Sequence, residues 1–136
     1  MPSVSWTSAL VTGASSGIGE AFVRALAEDG IPCVVVARRQ DRLEALAAEL
    51  PGIEVLTADL TEPVGLGRVI ERLEDAQRPL DLIVNNAGFG TSGRVAELDP
   101  ERLSREIALN VDALVRTTRA ALPPMLARGR GHVLNV

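Results

Sequence analysis

Tyrosine and lysine occur nowhere in the 136 residues, and all 14 basic residues are arginine. No reaction that needs a phenol or an ε-amine can run on these residues alone. Cysteine occurs once, as Cys33 in the apolar run CVVVA, so no intrachain disulfide forms. Its apolar neighbours make it an inert core thiol rather than a reactive one. Such cysteine usage points to the cytoplasm. Aromatic residues are few, Trp6 and two phenylalanines, and offer no stacking platform for bases. A net charge of −4 argues against a partner held by nucleic-acid phosphates. No apolar run approaches the roughly 18–20 residues that a membrane-spanning helix needs. Met1–Thr7 lacks the basic and apolar regions of a signal peptide. No run of like charge and no metal-binding cluster is expected.

What is present is the pattern of one globular domain. Five short apolar runs begin at Ala9, Cys33, Ile53, Leu82 and His132. Most are continuously apolar, as strands covered on both faces of a parallel sheet are. Helical stripes separate them: Ile18, Ala21, Phe22, Ala25 and Leu26, then Leu43, Leu46, Ala47 and Leu50, then Leu66, Val69, Ile70 and Leu73. The βαβαβ succession predicts an α/β fold, a doubly wound parallel sheet. Before the fifth strand, the chain predicts a helix start capped at Asp99–Pro100, a long helix, and a break near Pro123–Pro124.

The segment LVTGASSGIGEAF places Gly13, Gly17 and Gly19 between the first strand and the first helix. Glycines at such a turn let the backbone approach a pyrophosphate, and the helix N-terminus offers it free N–H groups. An ordinary glycine-rich turn is the alternative. A triphosphate-binding P-loop is excluded, because it needs a lysine beside its last glycine. NAD binders place an acid at the end of the second strand for the ribose 2′-hydroxyl. Here Ala37 is followed by Arg38 and Arg39. Guanidinium groups suit a 2′-phosphate, so NADP is favoured and NAD remains possible. Two solvated arginines opening a helix are the alternative.

Asp59 lies just beyond the third strand, either at the ligand edge of the sheet or as a cap for the segment at Thr61. Asn85 and Asn86 follow the fourth strand, where they shape a sharp turn. Counting from Leu103, Ile107 and Leu114 puts Asn110 on the apolar face of its helix. An amide there must be paired by a structural or an active-site network. His132 opens the fifth strand at the end away from the glycine loop, and reads as solvated or locally bonded rather than as a base.

With these motifs in order, the chain resembles the short-chain dehydrogenase/reductase family over its whole length, and the resemblance implies a Rossmann-like fold. TGASSGIG resembles that family's cofactor loop, ADL its adenine-contacting acid, NNAG its next signature, LNV its helix asparagine and GHVLNV its fifth strand. The resemblance implies that Gly13, Ser15, Ser16, Gly17, Ile18 and Gly19 cradle the pyrophosphate side. Ser15, Arg38 and Arg39 then meet the 2′-phosphate, Asp59 and Leu60 the adenine, and Asn86, Ala87 and Gly88 the ribose. Asn110 would hold a water in a proton relay, the only catalytic residue of the family present here.

The family's chemistry also uses a serine past the fifth strand and a Tyr-x-x-x-Lys pair. The last serine here is Ser104. The resemblance therefore implies that residues 1–136 are a partial dinucleotide-binding domain, with five of seven strands, and inactive by itself. The complete enzyme would interconvert a small-molecule alcohol and a carbonyl. The helices between Asp99 and Arg128 resemble those through which members associate into homo-oligomers. A non-catalytic nucleotide-binding module, or a truncated product pairing with a full-length relative, is the second reading.

Overall fold

The computed structural model describes residues 5–136, so the first residues of Met1–Thr7 lie outside the description. Five parallel strands form one sheet in the order β3-β2-β1-β4-β5: β1 Ala9–Thr12, β2 Cys33–Ala37, β3 Ile53–Thr57, β4 Leu82–Asn85 and β5 His132–Asn135. Helices α1 Gly17–Glu28, α2 Gln40–Glu49, α3 Pro63–Glu74, α4 Pro100–Ile107 and α5 Leu114–Arg128 connect them. The expected doubly wound α/β sheet is therefore present. The sheet grows from β1 towards β2 and then towards β4. The chain thus reverses direction between β1 and β4, where open α/β sheets leave a crevice beyond the strands' carboxyl ends.

Strand pleating divides the core. Leu10, Val34, Val36 and Ile83 point to the face covered by α3 and α5, with Leu66, Val69, Ala120, Ala121 and Met125. Ala9, Val11, Cys33, Val35 and Val84 point to the other face, beneath Val23 and Leu26 of α1 and Leu43 and Leu46 of α2. Each fully buried Val or Leu contributes roughly 1.5–3 kcal/mol. Two-sided burial is why these strands read as unbroken apolar runs.

Three details differ from the sequence reading. On α1 the buried line is Gly19, Val23 and Leu26, while Ile18 is 59% exposed. The first turn of α1 lies under the glycine loop rather than on the sheet, so Ile18 faces out of the core. Between α4 and α5, residues 108–113 form a π-helical turn inside one continuous helical path, whose junction residues stay in the right-handed region. Finally, α5 runs through Pro123 and Pro124 without a break. Its packing through Ala120, Ala121 and Met125 outweighs the roughly 3 kcal/mol a helical proline costs. The helix stops instead at Gly129, in the left-handed conformation. The start capped at Asp99 is as expected, with Asp99 Oδ1 accepting from Glu101 N at 3.1 Å and Pro100 following.

Candidate functional site

At the carboxyl ends of the strands lies a cleft of about 1080 Å³, at the upper end of the sizes of small-molecule sites. One wall is the glycine loop, which contributes Gly13, Ser15, Ser16 and Ile18. Gly13 turns the chain out of β1 with φ +66°, and a Cβ there would sit 2.9 Å from Ala87 Cα. A Cβ on Gly19 would collide with the Gly13 carbonyl. Gly19 therefore lies beneath the loop, not in the cleft. Gly17 adopts φ +57° with open space around it. No side chain caps α1 at Ser16, so its first-turn N–H groups remain available to a ligand.

The loop after β4 is bolted to this wall. Asn86 Nδ2 donates to the carbonyls of Thr12 at 3.2 Å and Gly13 at 3.3 Å. The N–H groups of Asn86 and Ala87 both donate to Thr12 Oγ1 at 3.0 Å. Asn85 points the other way: Nδ2 donates to Thr118 Oγ1 and Asn135 Oδ1, and Oδ1 accepts from Thr117 Oγ1 at 2.7 Å. Asn85 thus ties β4 to α5 and β5, whereas Asn86, Ala87 and Gly88 line the cleft.

Arg38 and Arg39 line the end beyond β2. Arg39 donates from Nη2 to Ser15 Oγ at 3.0 Å, which joins the two residues expected near a 2′-phosphate. Asp59 sits nearby, its Oδ1 accepting from Thr61 N at 2.9 Å and Thr61 Oγ1 at 2.7 Å. Burial opposes its charge, but the Thr61 bonds and the positive field of Arg38 outweigh it and hold the carboxyl below its ordinary range. Asp59 does not cap α3, which starts after Glu62 without a side-chain cap; it shapes the turn at Thr61 and lines the cleft. Leu60 is 7% exposed and anchors in the core, touching the cleft only along its edge.

Asn110 lies within the π-helical turn and is exposed at the cleft rather than buried on an apolar face. The face counted from Leu103 is not a buried one, since Ile107 ahead of the turn is itself 62% exposed, and the i→i+5 bonding of the turn shifts the count further. Its amide is bonded in both directions to one backbone unit. Nδ2 donates to Phe89 O at 2.8 Å, and Phe89 N donates to Oδ1 at 3.1 Å. One N–H and one oxygen lone pair remain for a solvent molecule in the cleft.

His132 lies at the opposite edge of the sheet, where its Nδ1 accepts from Trp6 Nε1 at 3.1 Å. Beside it is a network that the sequence did not reveal. Asp81, 4% exposed, accepts from Thr7 N, Thr7 Oγ1 and Arg130 Nη2 at 3.0, 2.6 and 2.7 Å. Thr12 was also missed as the anchor of the site. Among the described residues no group of three His, Cys, Asp or Glu could hold a metal, and no helix is long and apolar enough to cross a membrane.

The sequence pattern of short chain dehydrogenases matches residues 7–136. A protein named as an uncharacterized oxidoreductase from Staphylococcus aureus is 32% identical over 130 residues, covering 94% of this chain and 56% of the relative. A short-chain dehydrogenase from Sphingobium yanoikuyae, solved in complex with NADPH, superposes with a TM-score of 0.90 at 39% identity, over 94% of this chain and 52% of that one. The bulky-bulky ketone specific alcohol dehydrogenase from Comamonas testosteroni gives 0.91 at 34% identity, over 97% and 56%. The chain therefore spans about half the length of the proteins it matches. It belongs to the short chain dehydrogenase family.

Proposed function

We propose that the chain is the cofactor-binding part of an NADP(H)-dependent oxidoreductase that interconverts an alcohol and a carbonyl. The observation that carries the cofactor choice is the basic end of the cleft, where Arg38 stands beside the Ser15–Arg39 contact. No carboxylate follows β2 there to meet a ribose 2′-hydroxyl. The NADPH in the Sphingobium relative supports the same choice.

The residues fit the cofactor. The open backbone around Gly17 and the uncapped start of α1, with Gly13, Ser15, Ser16 and Ile18, would take the pyrophosphate, while Gly19 beneath them lets the loop pack against the helix. Arg38, Arg39 and Ser15 would hold the 2′-phosphate, Asp59 and the Leu60 backbone the adenine, and Asn86, Ala87 and Gly88 the ribose. When bound, the nicotinamide supplies or accepts a hydride. Asn110 fixes the loop at Phe89 and keeps a donor and an acceptor towards the cleft for an ordered water. The tyrosine and lysine that move the proton in the family have no counterpart here, so these residues alone are expected to bind cofactor without turnover.

Ile107, Val111, Val115, Leu122 and Leu126 are exposed apolar residues of α4, the π-helical turn and α5, and a second copy of the chain is the proposed occupant.

Titration of NADPH and NADH into the chain tests the reading. NADPH should bind more tightly, and Arg38→Ala should weaken NADPH roughly tenfold or more while leaving NADH unchanged. Equal affinity for both cofactors in the wild type would overturn the NADP(H) assignment.

A further inference from the structure

Two arginines on the α4 wall of the cleft have no role in the reading above. Arg102 and Arg105 line it beside Phe89, Gly90 and Asn110. Arg102 is fixed in place: its guanidinium carbon lies 5.0 Å from the Phe89 ring centroid, and Nε donates to Thr91 Oγ1 at 3.1 Å. Phe89 is itself held through its backbone by Asn110. Both terminal nitrogens of Arg102 are left without a protein partner among the described residues, and Arg105 has none at all.

Arginines that serve the fold here direct their forks at carboxylates or, as Arg128 does, at backbone carbonyls. Arg24 does so to Glu20 and Glu49, and Arg72 to Glu54. Glu106 neighbours Arg105 and lies one turn beyond Arg102, yet its Oε2 is buried without any partner. The two guanidinium groups are therefore not neutralised by their own helix. Permanently charged forks with free donors, on a concave wall and with Arg102 braced against a pinned loop, match the chemistry of a planar anion.

We propose that Arg102 and Arg105 form a second anion subsite of the cleft, which takes a carboxylate or phosphate group. The inference rests on the dinucleotide reading, which assigns the Arg38–Arg39 end to the cofactor's 2′-phosphate. The anion has two possible sources, the cofactor's own pyrophosphate or an acidic group on the substrate.

The test follows the arginine Nε–H resonances by NMR while inorganic phosphate or malonate is titrated into the chain, with and without saturating NADP⁺. Arg102→Gln and Arg105→Gln assign the two signals. Saturable shifts at both residues are expected in the cofactor-free chain, with anion binding roughly tenfold weaker in the double variant. If the anion is the cofactor's, NADP⁺ abolishes the response and the double variant weakens NADP⁺ and NAD⁺ alike. If it is the substrate's, the malonate response persists with NADP⁺ bound and the dinucleotide affinities are unchanged. No saturable shift at either arginine overturns the proposal. The dinucleotide reading fails separately, by absence of NADPH binding to the wild-type chain.

Discussion

Replacing Thr12 by valine keeps the shape of the side chain and deletes one hydroxyl. That hydroxyl closes β1 at a position 2% exposed, accepts the N–H groups of both Asn86 and Ala87 at 3.0 Å, and reaches the Val84 carbonyl at 3.4 Å. Valine leaves two backbone donors facing a methyl group. A buried donor without an acceptor costs about 1–3 kcal/mol. Because Asn86 and Ala87 are only half-buried, the pair should cost ~2–4 kcal/mol in total. Against a typical total stability of ~5–15 kcal/mol that is a large fraction.

Urea unfolding, followed by the fluorescence of Trp6 and by circular dichroism, reads the effect as a lower midpoint with an unchanged slope. Thr12→Ser is the control. It keeps the hydroxyl and loses one methyl, for about 0.8 kcal/mol. NADPH affinity should follow the same order, because residues 86–88 border the cleft and Thr12 sets their position. A Thr12→Val protein with the wild-type midpoint, alongside a weakened Thr12→Ser, would refute the claim that the hydroxyl anchors this loop.

Four further outcomes are expected. Gly19→Ala drives a Cβ into the Gly13 carbonyl and should cost ~1–3 kcal/mol with reduced NADPH binding. Gly67→Ala on α3, with open space and ordinary φ, should instead gain ~0.5–1 kcal/mol in the same denaturation assay. For Asp81, burial opposes the charge, but Thr7, Arg130 and Arg128 overcome it and hold the carboxyl below the unfolded value of 3.8. Its stabilisation is therefore complete above that value and lost as pH falls through the lower folded one. Asp81→Asn should lower the urea midpoint at pH 7 and flatten its fall towards pH 3. Burial pushes the Cys33 thiol up to about 12, so a thiol reagent at pH 8 should label the native chain slowly and the urea-unfolded chain at once. Prompt native labelling would show that β2 opens.

The central strands β1, β2 and β4 were legible because burial on both faces favours unbroken apolar runs, and CVVVA begins and ends where β2 does. The glycine loop was legible for a similar reason: the backbone path at Gly13 and Gly17 and the close approach at Gly19 leave glycine alone able to serve. Arg38 and Arg39 announced themselves by charge, without help from any partner. The segment from Pro100 to Arg128 was legible as a helix with its start capped at Asp99, but not in its interior. Nothing in ALNVDA distinguishes a π turn from an α turn, and the apolar spacing of Leu103 and Ile107 marks a face that is not buried, so Asn110 lies at the cleft instead. The prolines at 123 and 124 misled in the opposite sense, since tertiary packing held a helix that local preference would break.

Thr12 and Asp81 show where reading along a chain stops. A threonine ending a strand and an aspartate before one are ordinary residues in one dimension. Thr12 acquires its role from amides 74 and 75 positions away, and Asp81 from Thr7 and Arg130, 74 and 49 away. Residues whose function resides in their own backbone freedom or charge can be recognised singly. Those that work by satisfying distant backbone groups become visible only when the sheet order β2-β1-β4 brings the strand ends together. In this fold the first kind forms the surface a cofactor would touch, and the second holds that surface in place. The anchor is therefore the sharper target for mutation: Arg38→Ala removes one proposed cofactor contact, whereas Thr12→Val loosens the frame on which Asn86, Ala87 and Gly88 are all mounted.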